Sequence, residues 1–334
     1  VIFLLVEVRK IQKTPDGTFL ISLPKSWARG FDLKKGSPIY VRERGDGCLV
    51  LDPQYAIETT PEITLKLSSR IEDNILSSYL LGYEVIVIEA PRITPMDRKK
   101  IKHSINRLVG VEIVEEDSQR IVLQCLLKAT AFSPDKILRR EYVLSSSMYR
   151  DALKALASGD LTLVESIEQR DDEVDRLYFL LVRLLRSMII NPRLSEKLGV
   201  SLIDCLDYRL IASLIEGIAD QTAEMAKIIT QLHKQKVPQK VVESICDVGE
   251  KILEAYDETM MATFSKEEKM LNLAVQKRDE ISPIIGNLEN NFTKLPSEIS
   301  SPLFIFASIL RRIFDCQKDI IDLITPRVTA NVSW

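Results

Sequence analysis

Histidine is almost missing from this 334-residue chain, with His103 and His233 the whole supply. The five cysteines, Cys48, Cys125, Cys205, Cys246 and Cys316, are odd in number and form no close pair. A Cys/His zinc site is therefore excluded, and the scattered free thiols fit a reducing cytoplasm. No apolar run approaches the roughly 20 residues that a membrane-spanning helix needs. Charges interrupt every hydrophobic stretch within a few residues, so the reading is a cytoplasmic protein without membrane insertion. The apolar start Val1–Val6 has neither the basic flank nor the small-residue cleavage site of a secretory signal and reads as an edge strand. A Gly-rich phosphate cradle and a Gly-Lys-Ser/Thr step are absent as well. Nor do a nucleophile, a base and oxyanion donors occur at any defined spacing, which makes an enzyme the weakest class.

What is present is apolar bulk. Hydrophobic residues make up 46% of the chain, enough for two or three domains with separate cores, and disorder is excluded. The net charge of −3 is unevenly spread. Residues 1–56 carry nine Lys/Arg against six Asp/Glu, residues 57–128 ten against eleven, and residues 129–334 26 against 31. A basic head on an acidic body suits a polyanionic partner for the head.

Turn signals at Pro15-Asp16-Gly17, Leu23-Pro24, Lys35-Gly36 and Gly45-Asp46-Gly47 divide the first 52 residues into four short strands. Asp16-Gly17 and Asp46-Gly47 accept positive φ and favour tight hairpins. Four short strands leave open edges and little core, so pairing with a second copy is expected. The run from Arg9-Lys10-Ile11-Gln12-Lys13 through Leu23-Pro24-Lys25-Ser26-Trp27 to Leu33-Lys34-Lys35-Gly36 resembles the SpoVT/AbrB family of swapped-hairpin domains. The resemblance implies a barrel interleaved from two chains whose basic face meets DNA, with Arg9, Lys10, Lys13, Lys25 and Arg29 as the candidate contacts. Such residues supply phosphate contacts and hence salt-dependent affinity. The alternative is a solvated basic rim on a module that only dimerises. Trp27 is read as a core or interface anchor.

Residues 57–130 read as a small α/β domain: strands over 62–67, 84–89, 111–115 and 120–127, helices over 72–82 and 96–108. Val85-Ile86-Val87-Ile88 and Ile121-Val122-Leu123 have the character of buried strands. Lys99, Lys100, Lys102 and Arg107 either extend a nucleic-acid face or line a solvated helix.

Beyond Pro134, helical periodicity runs to the end, with breaks expected near Ser158-Gly159, Asn191-Pro192, Val237-Pro238, Ser282-Pro283 and Ser301-Pro302. About six helices result, in an internal repeat. Leu210–Asp220 aligns without a gap on Ile305–Asp315, and Arg170–Asp175 aligns on Lys277–Ser282. Two three-helix bundles are therefore predicted, about 135–236 and 238–326 within a body of 135–326. The first contains two acidic pairs at i, i+4 spacing, Asp171 with Asp175 and Glu216 with Asp220. Residues four apart share a helix face, so each pair aims two carboxylates at one region. If the two helices face one another, four carboxylates could hold hard cations such as Mg²⁺, Mn²⁺ or iron. The alternative is an acidic face salt-bridged to Arg170, Arg176 or Arg209.

The body resembles the PhoU family of phosphate-uptake regulators, most clearly in Glu216-Gly217-Ile218-Ala219-Asp220-Gln221-Thr222. The resemblance implies a metal-ligand role for Asp171, Asp175, Glu216 and Asp220. The second half departs from it, with Arg278, Ser282 and Arg311 at three of the four corresponding positions and Asp315 at the fourth, so a second site is not expected. The fold class read from the sequence is multidomain α+β: an N-terminal swapped-hairpin β-barrel over residues 1–56, the small α/β domain, and the all-α pair of three-helix bundles. The functional expectation is a homodimeric, phosphate-responsive transcriptional regulator that senses metal, phosphate or a transporter partner. The alternatives are an adaptor for a phosphate-transporter ATPase or signalling kinase and, last, a metal-dependent hydrolase.

Overall fold

The computed structural model describes residues 7–43, 47–53 and 60–329. The expected strand at Val1–Val6, the turn residues Gly45 and Asp46 and the boundary at 56/57 lie outside the described residues. Contacts separate an N-terminal unit, up to Thr59, from a second unit that starts at Thr60.

In the first unit, β1 (Gln12–Lys13) and β2 (Phe19–Leu20) form an antiparallel hairpin. Its turn is held by the Thr18 N–H, which donates to the Thr14 hydroxyl at 3.0 Å, and Gly17 supplies the φ of +92° that the turn requires. The chain then forms α1 (Lys25–Gly30), where the sequence reading placed a turn between strands. Pro24 caps this helix, and a proline at a helix start forfeits no internal hydrogen bond. A second antiparallel ribbon pairs β3 (Tyr40–Glu43) with β4 (Leu49–Asp52), in register from Tyr40 opposite Asp52 to Glu43 opposite Leu49. Among the described residues of this unit only Asp52 is buried. Phe19 and Leu49 are 69% and 67% exposed, and Val8, Ile11, Ile21 and Val41 are exposed too. Two-stranded ribbons with no apolar core of their own are marginal in water.

The second unit opens with a four-stranded sheet of order β5-β6-β8-β7. The strands are β5 (Glu62–Lys66), β6 (Val85–Glu89), β7 (Val111–Glu116) and β8 (Arg120–Cys125). The crossover α2 (Ile71–Leu80) makes β5 and β6 parallel, and the other pairings are antiparallel. α3 (Pro95–Asn106) starts at a capping box in which Thr94 and Asp97 bond reciprocally, with Pro95 in the first turn. Ile71, Ile75 and Tyr79 of α2, Ile101 and Ile105 of α3, and Ile86, Ile88, Ile121 and Leu123 of the central strands make one core.

Among the described residues seven α-helices follow: α4 (Pro134–Ser158), α5 (Thr162–Ile190), the short α6 (Pro192–Leu198), α7 (Leu202–Leu232), α8 (Gln239–Ser265), α9 (Glu268–Leu288) and α10 (Ser297–Thr329). α4, α5 and α7 pack as one triple and α8, α9 and α10 as another; α4 against α8 and α7 against α10 join them around a continuous core. The aligned stretches of α7 and α10 bury the same phases: Ile211 with Phe306, Ala212 with Ala307, Ile215 with Leu310 and Ile218 with Ile313. The two triples also repeat a cross-helix contact. Arg170 of α5 donates to Ser147 and Asp151 of α4; its aligned counterpart Lys277 of α9 donates to Glu254 of α8 and feels the charge of Glu258. α4 and α8 meet closely at Gly249, where a Cβ would lie 2.5 Å from a Leu153 methyl.

Two expected breaks are absent. Pro283 lies inside α9 and Pro302 inside α10. An interior proline costs about 3 kcal/mol, while full burial of each large apolar side chain returns about 1.5–3. Ile281 and Ile285 flank Pro283, and Leu303 and Phe306 follow Pro302, all of them buried. The α8–α9 break falls instead at Lys266, left-handed at φ +58° without a glycine to announce it.

Within this second unit the α/β layer is fastened to the bundle by Arg183 of α5. Arg183 is 8% exposed, and its guanidinium donates to the carbonyls of Tyr79, Tyr83 and Gly82 at 2.5, 2.9 and 3.2 Å and lies over the Tyr79 ring. These carbonyls end α2, where the helix dipole favours a cation. Arg183→Met removes this donor from a dry contact, although the Tyr79 carbonyl keeps the Gly82 N–H, and lowers stability by about 3 kcal/mol, measurable by urea unfolding.

Candidate functional site

Asp171 and Asp175 lie one turn apart on α5, and Glu216 and Asp220 one turn apart on α7. Because α5 packs along α7, both pairs face the same space. Asp175, Glu216 and Asp220 each offer an oxygen such that all three lie within 4.8 Å of one another. At that spacing some point lies within about 2.8 Å of all three oxygens, so a slight closure reaches the 2.0–2.6 Å at which hard cations bind oxygen.

The electrostatics agree with that geometry. Burial, then the charges of Asp220, Asp175 and Asp172, push the Asp171 carboxyl up to about 6. Burial, then Asp220, Asp175 and Asp171, push Glu216 up to about 7. Asp220 is raised by burial and by Asp175 and Glu224. Such mutual elevation marks carboxylates that crowd one another in a partly dry place, and a divalent cation would relieve it. Asp171 Oδ1 and Gln221 Oε1 are inaccessible and have no hydrogen-bond partner. All-oxygen donors fit Mg²⁺, Mn²⁺ or iron rather than zinc.

Arg170 does not neutralise this group, because its guanidinium is bonded to Asp151, Ser147 and the Ser166 carbonyl. Arg209 lies over the Tyr178 ring and only moderates Glu216 through its charge. A basic partner in contact is Arg107, just past the C-terminus of α3, whose Nη2 is 3.1 Å from Asp175 Oδ2. Arg107 was grouped from the sequence with Lys99, Lys100 and Lys102 as a solvated or nucleic-acid face; it is instead engaged with the body.

Glu141 of α4 was missed by the sequence reading. It is fully buried, neither of its oxygens has a hydrogen-bond partner, and burial followed by the charge of Glu216 holds its carboxyl well above the usual range. A single acidic residue in a long amphipathic helix gives no sign of this, since only the packing of α4 on α7 turns it inward.

In the second triple, internal cations stand beside the surviving acids. Asp315 pairs with Lys318 at 2.5 Å, Arg278 with Asp279 at 3.0 Å and Asp322 at 4.0 Å, and Arg311 with Glu289 at 3.1 Å. Among the described residues no second group of three convergent metal-type donors occurs.

In the N-terminal unit the five basic candidates are all exposed. Lys25 and Arg29 stand one turn apart on α1, Lys13 lies over the Phe19 ring, and Arg9 is paired with Glu7. Trp27 is half-buried and meets Phe31 edge-on at 5.4 Å.

The fold and this site define a class of protein: a doubled three-helix body with a carboxylate centre in its first half, preceded by an α/β layer and a hairpin module. Residues 138–229 match the PhoU domain model. Residues 12–56 match the model described as antidote-toxin recognition MazE, bacterial antitoxin, an AbrB-like module. PhoU from Pseudomonas aeruginosa aligns at 17% identity and a TM-score of 0.52, over 58% of this chain and 94% of its own. The phosphate transport system regulatory protein PhoU from Streptococcus pneumoniae aligns at 18% identity and a TM-score of 0.52, over 60% and 96%. At these identities the likeness establishes a shared fold. A search of curated proteins gave no match. Among the described residues no helix is long and apolar enough to cross a membrane.

Proposed function

We propose that the chain is a cytoplasmic, homodimeric regulator rather than an enzyme: its N-terminal hairpins pair with those of a second copy and bind duplex DNA, while its PhoU-like body holds a hard divalent cation and conveys phosphate status. The observation that carries this reading is the N-terminal unit, in which the apolar residues are exposed and the only buried described residue is Asp52. A second copy is the economical cover for those residues, and the resulting barrel would carry two sets of Arg9, Lys10, Lys13, Lys25 and Arg29. The match to an AbrB-like module supports the same assignment. The body's contribution is the crowded carboxylate group, which calls for a cation and lies inside the segment that matches the PhoU domain.

A second reading is an adaptor for a phosphate-transporter ATPase or a signalling protein; it draws on the solved relative described as a phosphate transport system regulatory protein. Charge reversal separates the two. Lys25→Glu with Arg29→Glu abolishes duplex binding in an electrophoretic shift assay under the first reading, while the melting temperature stays within a degree or so of the wild type because both side chains are exposed. Undiminished DNA binding by that variant would remove α1 from the interface.

A further inference from the structure

We propose that Arg107 is the resident counter-cation of the carboxylate centre and sets its affinity, so that an incoming divalent cation displaces it and loosens the α3 end of the α/β layer from the bundle. This rests on the cation-binding reading above.

Three observations carry it. First, Arg107 belongs to the α/β layer but reaches α5, where its guanidinium bonds Asp175 Oδ2 at 3.1 Å and lies over the ring of Phe179, one turn further on. Asp175 is also one of the three convergent donors. A carboxylate oxygen drawn to a divalent ion has less negative charge left for a guanidinium, and the two cations repel at that distance. Second, one arginine does not satisfy the group. Glu141 is buried with both oxygens unpartnered, and Asp171 Oδ1 is likewise buried and unpartnered. The centre thus keeps oxygen atoms that Arg107 does not satisfy. Third, a separate fastening of the layer, Arg183 on the carbonyls at the end of α2, involves none of these carboxylates. Losing the Arg107 contact therefore removes a polar tie at the α3 end, while Val109 on the bundle core and Phe179 on the core of the layer keep the two attached.

The second triple shows the contrasting arrangement. Lys318 pairs with Asp315 from the same helix, so that ion pair ties no other layer to the acid.

The test is Mn²⁺ titration calorimetry together with amide hydrogen exchange on the full chain, for the wild type and Arg107→Gln. Arg98→Gln serves as a control on the same helix, because Arg98 pairs with Glu116 and the Asp117 carbonyl, away from the centre. Half-exposed ion pairs of this kind are worth a factor of about two to five in an equilibrium, so Arg107→Gln should bind Mn²⁺ about two- to fivefold more tightly and Arg98→Gln as the wild type does. In the wild type, Mn²⁺ speeds exchange over Pro95–Asn106; in Arg107→Gln, exchange there is already fast and Mn²⁺ leaves it unchanged. Equal affinities with exchange in α3 indifferent to Mn²⁺ would overturn the coupling alone. A wild type that binds no Mn²⁺ would overturn the centre and this inference with it.

Discussion

Glu216→Gln combined with Asp220→Asn lowers Mn²⁺ affinity at least about 100-fold and, without metal, makes the protein more stable. The first effect follows from removing the charge of two of the three carboxylates whose oxygens lie within 4.8 Å of one another. Changing even a group that only supports a ligand typically costs 10- to 100-fold in metal affinity. The second effect follows from the raised carboxyls. Asp171 at about 6 and Glu216 at about 7 bind protons more readily in the folded than in the unfolded chain, where carboxyls titrate near 4. For acids shifted upward, the folded state gains protons as pH falls from about 7 to about 4, so metal-free stability rises on acidification and falls as pH increases through that window. Both side chains are only half-buried, so solvent screening reduces the effect to about 1–2 kcal/mol, or a melting temperature higher by about 2–6 °C at pH 5.5 than at pH 7.5. The contribution is read as the difference from a variant with all four carboxylates amidated, which removes the background of other titrations. Mn²⁺ at 100 times its Kd adds about 2.7 kcal/mol and reverses the pH order, because protons then compete with the ion; EDTA restores it. A metal-free wild type that loses stability on acidification relative to the amidated variant would contradict the crowding.

Phe19→Asp with Leu49→Asp converts the protein from dimer to monomer and removes DNA binding, while leaving the body folded. Both residues are about two-thirds exposed in one copy, one on each hairpin, so the substitutions cost little within a chain. In a pair of interleaved ribbons the same side chains would enter the shared core, where each buried carboxylate costs several kcal/mol. Light scattering after size exclusion reads the mass, and urea unfolding reads the body, which has its own continuous core. A mass that remains dimeric in the double variant would place the contact between copies elsewhere.

Much of this architecture was legible from the residues. Val85-Ile86-Val87-Ile88 and Ile121-Val122-Leu123 announced the central strands because β-branched runs seldom serve another purpose, and Pro95 marked the start of α3. The i, i+4 acid pairs on α5 and α7 put Asp175, Glu216 and Asp220 close together once α5 packs on α7, while Asp171 stands outside that group of three. What escaped depended on tertiary context. Pro283 and Pro302 read as helix ends because local propensity omits the burial of Ile281, Ile285, Leu303 and Phe306 around them. Lys266 ends α8 in a left-handed conformation that the sequence marks with no glycine. Pro24 read as a turn but opens α1. Glu141 and Arg107 look like surface charges on amphipathic helices, and only the packing of α4 on α7 and of α3 near α5 reveals that each faces the carboxylate centre.

The most direct test of the regulator reading is binding of the full chain to a pool of random duplex DNA at 50 and 200 mM salt, beside the same chain lacking residues 1–59. Two sets of basic contacts predict tight retention at low salt, weakened about 1,000-fold or more at the higher concentration and lost on truncation. Absence of retention by the full chain at 50 mM salt, or equal retention by the truncated chain, would contradict it.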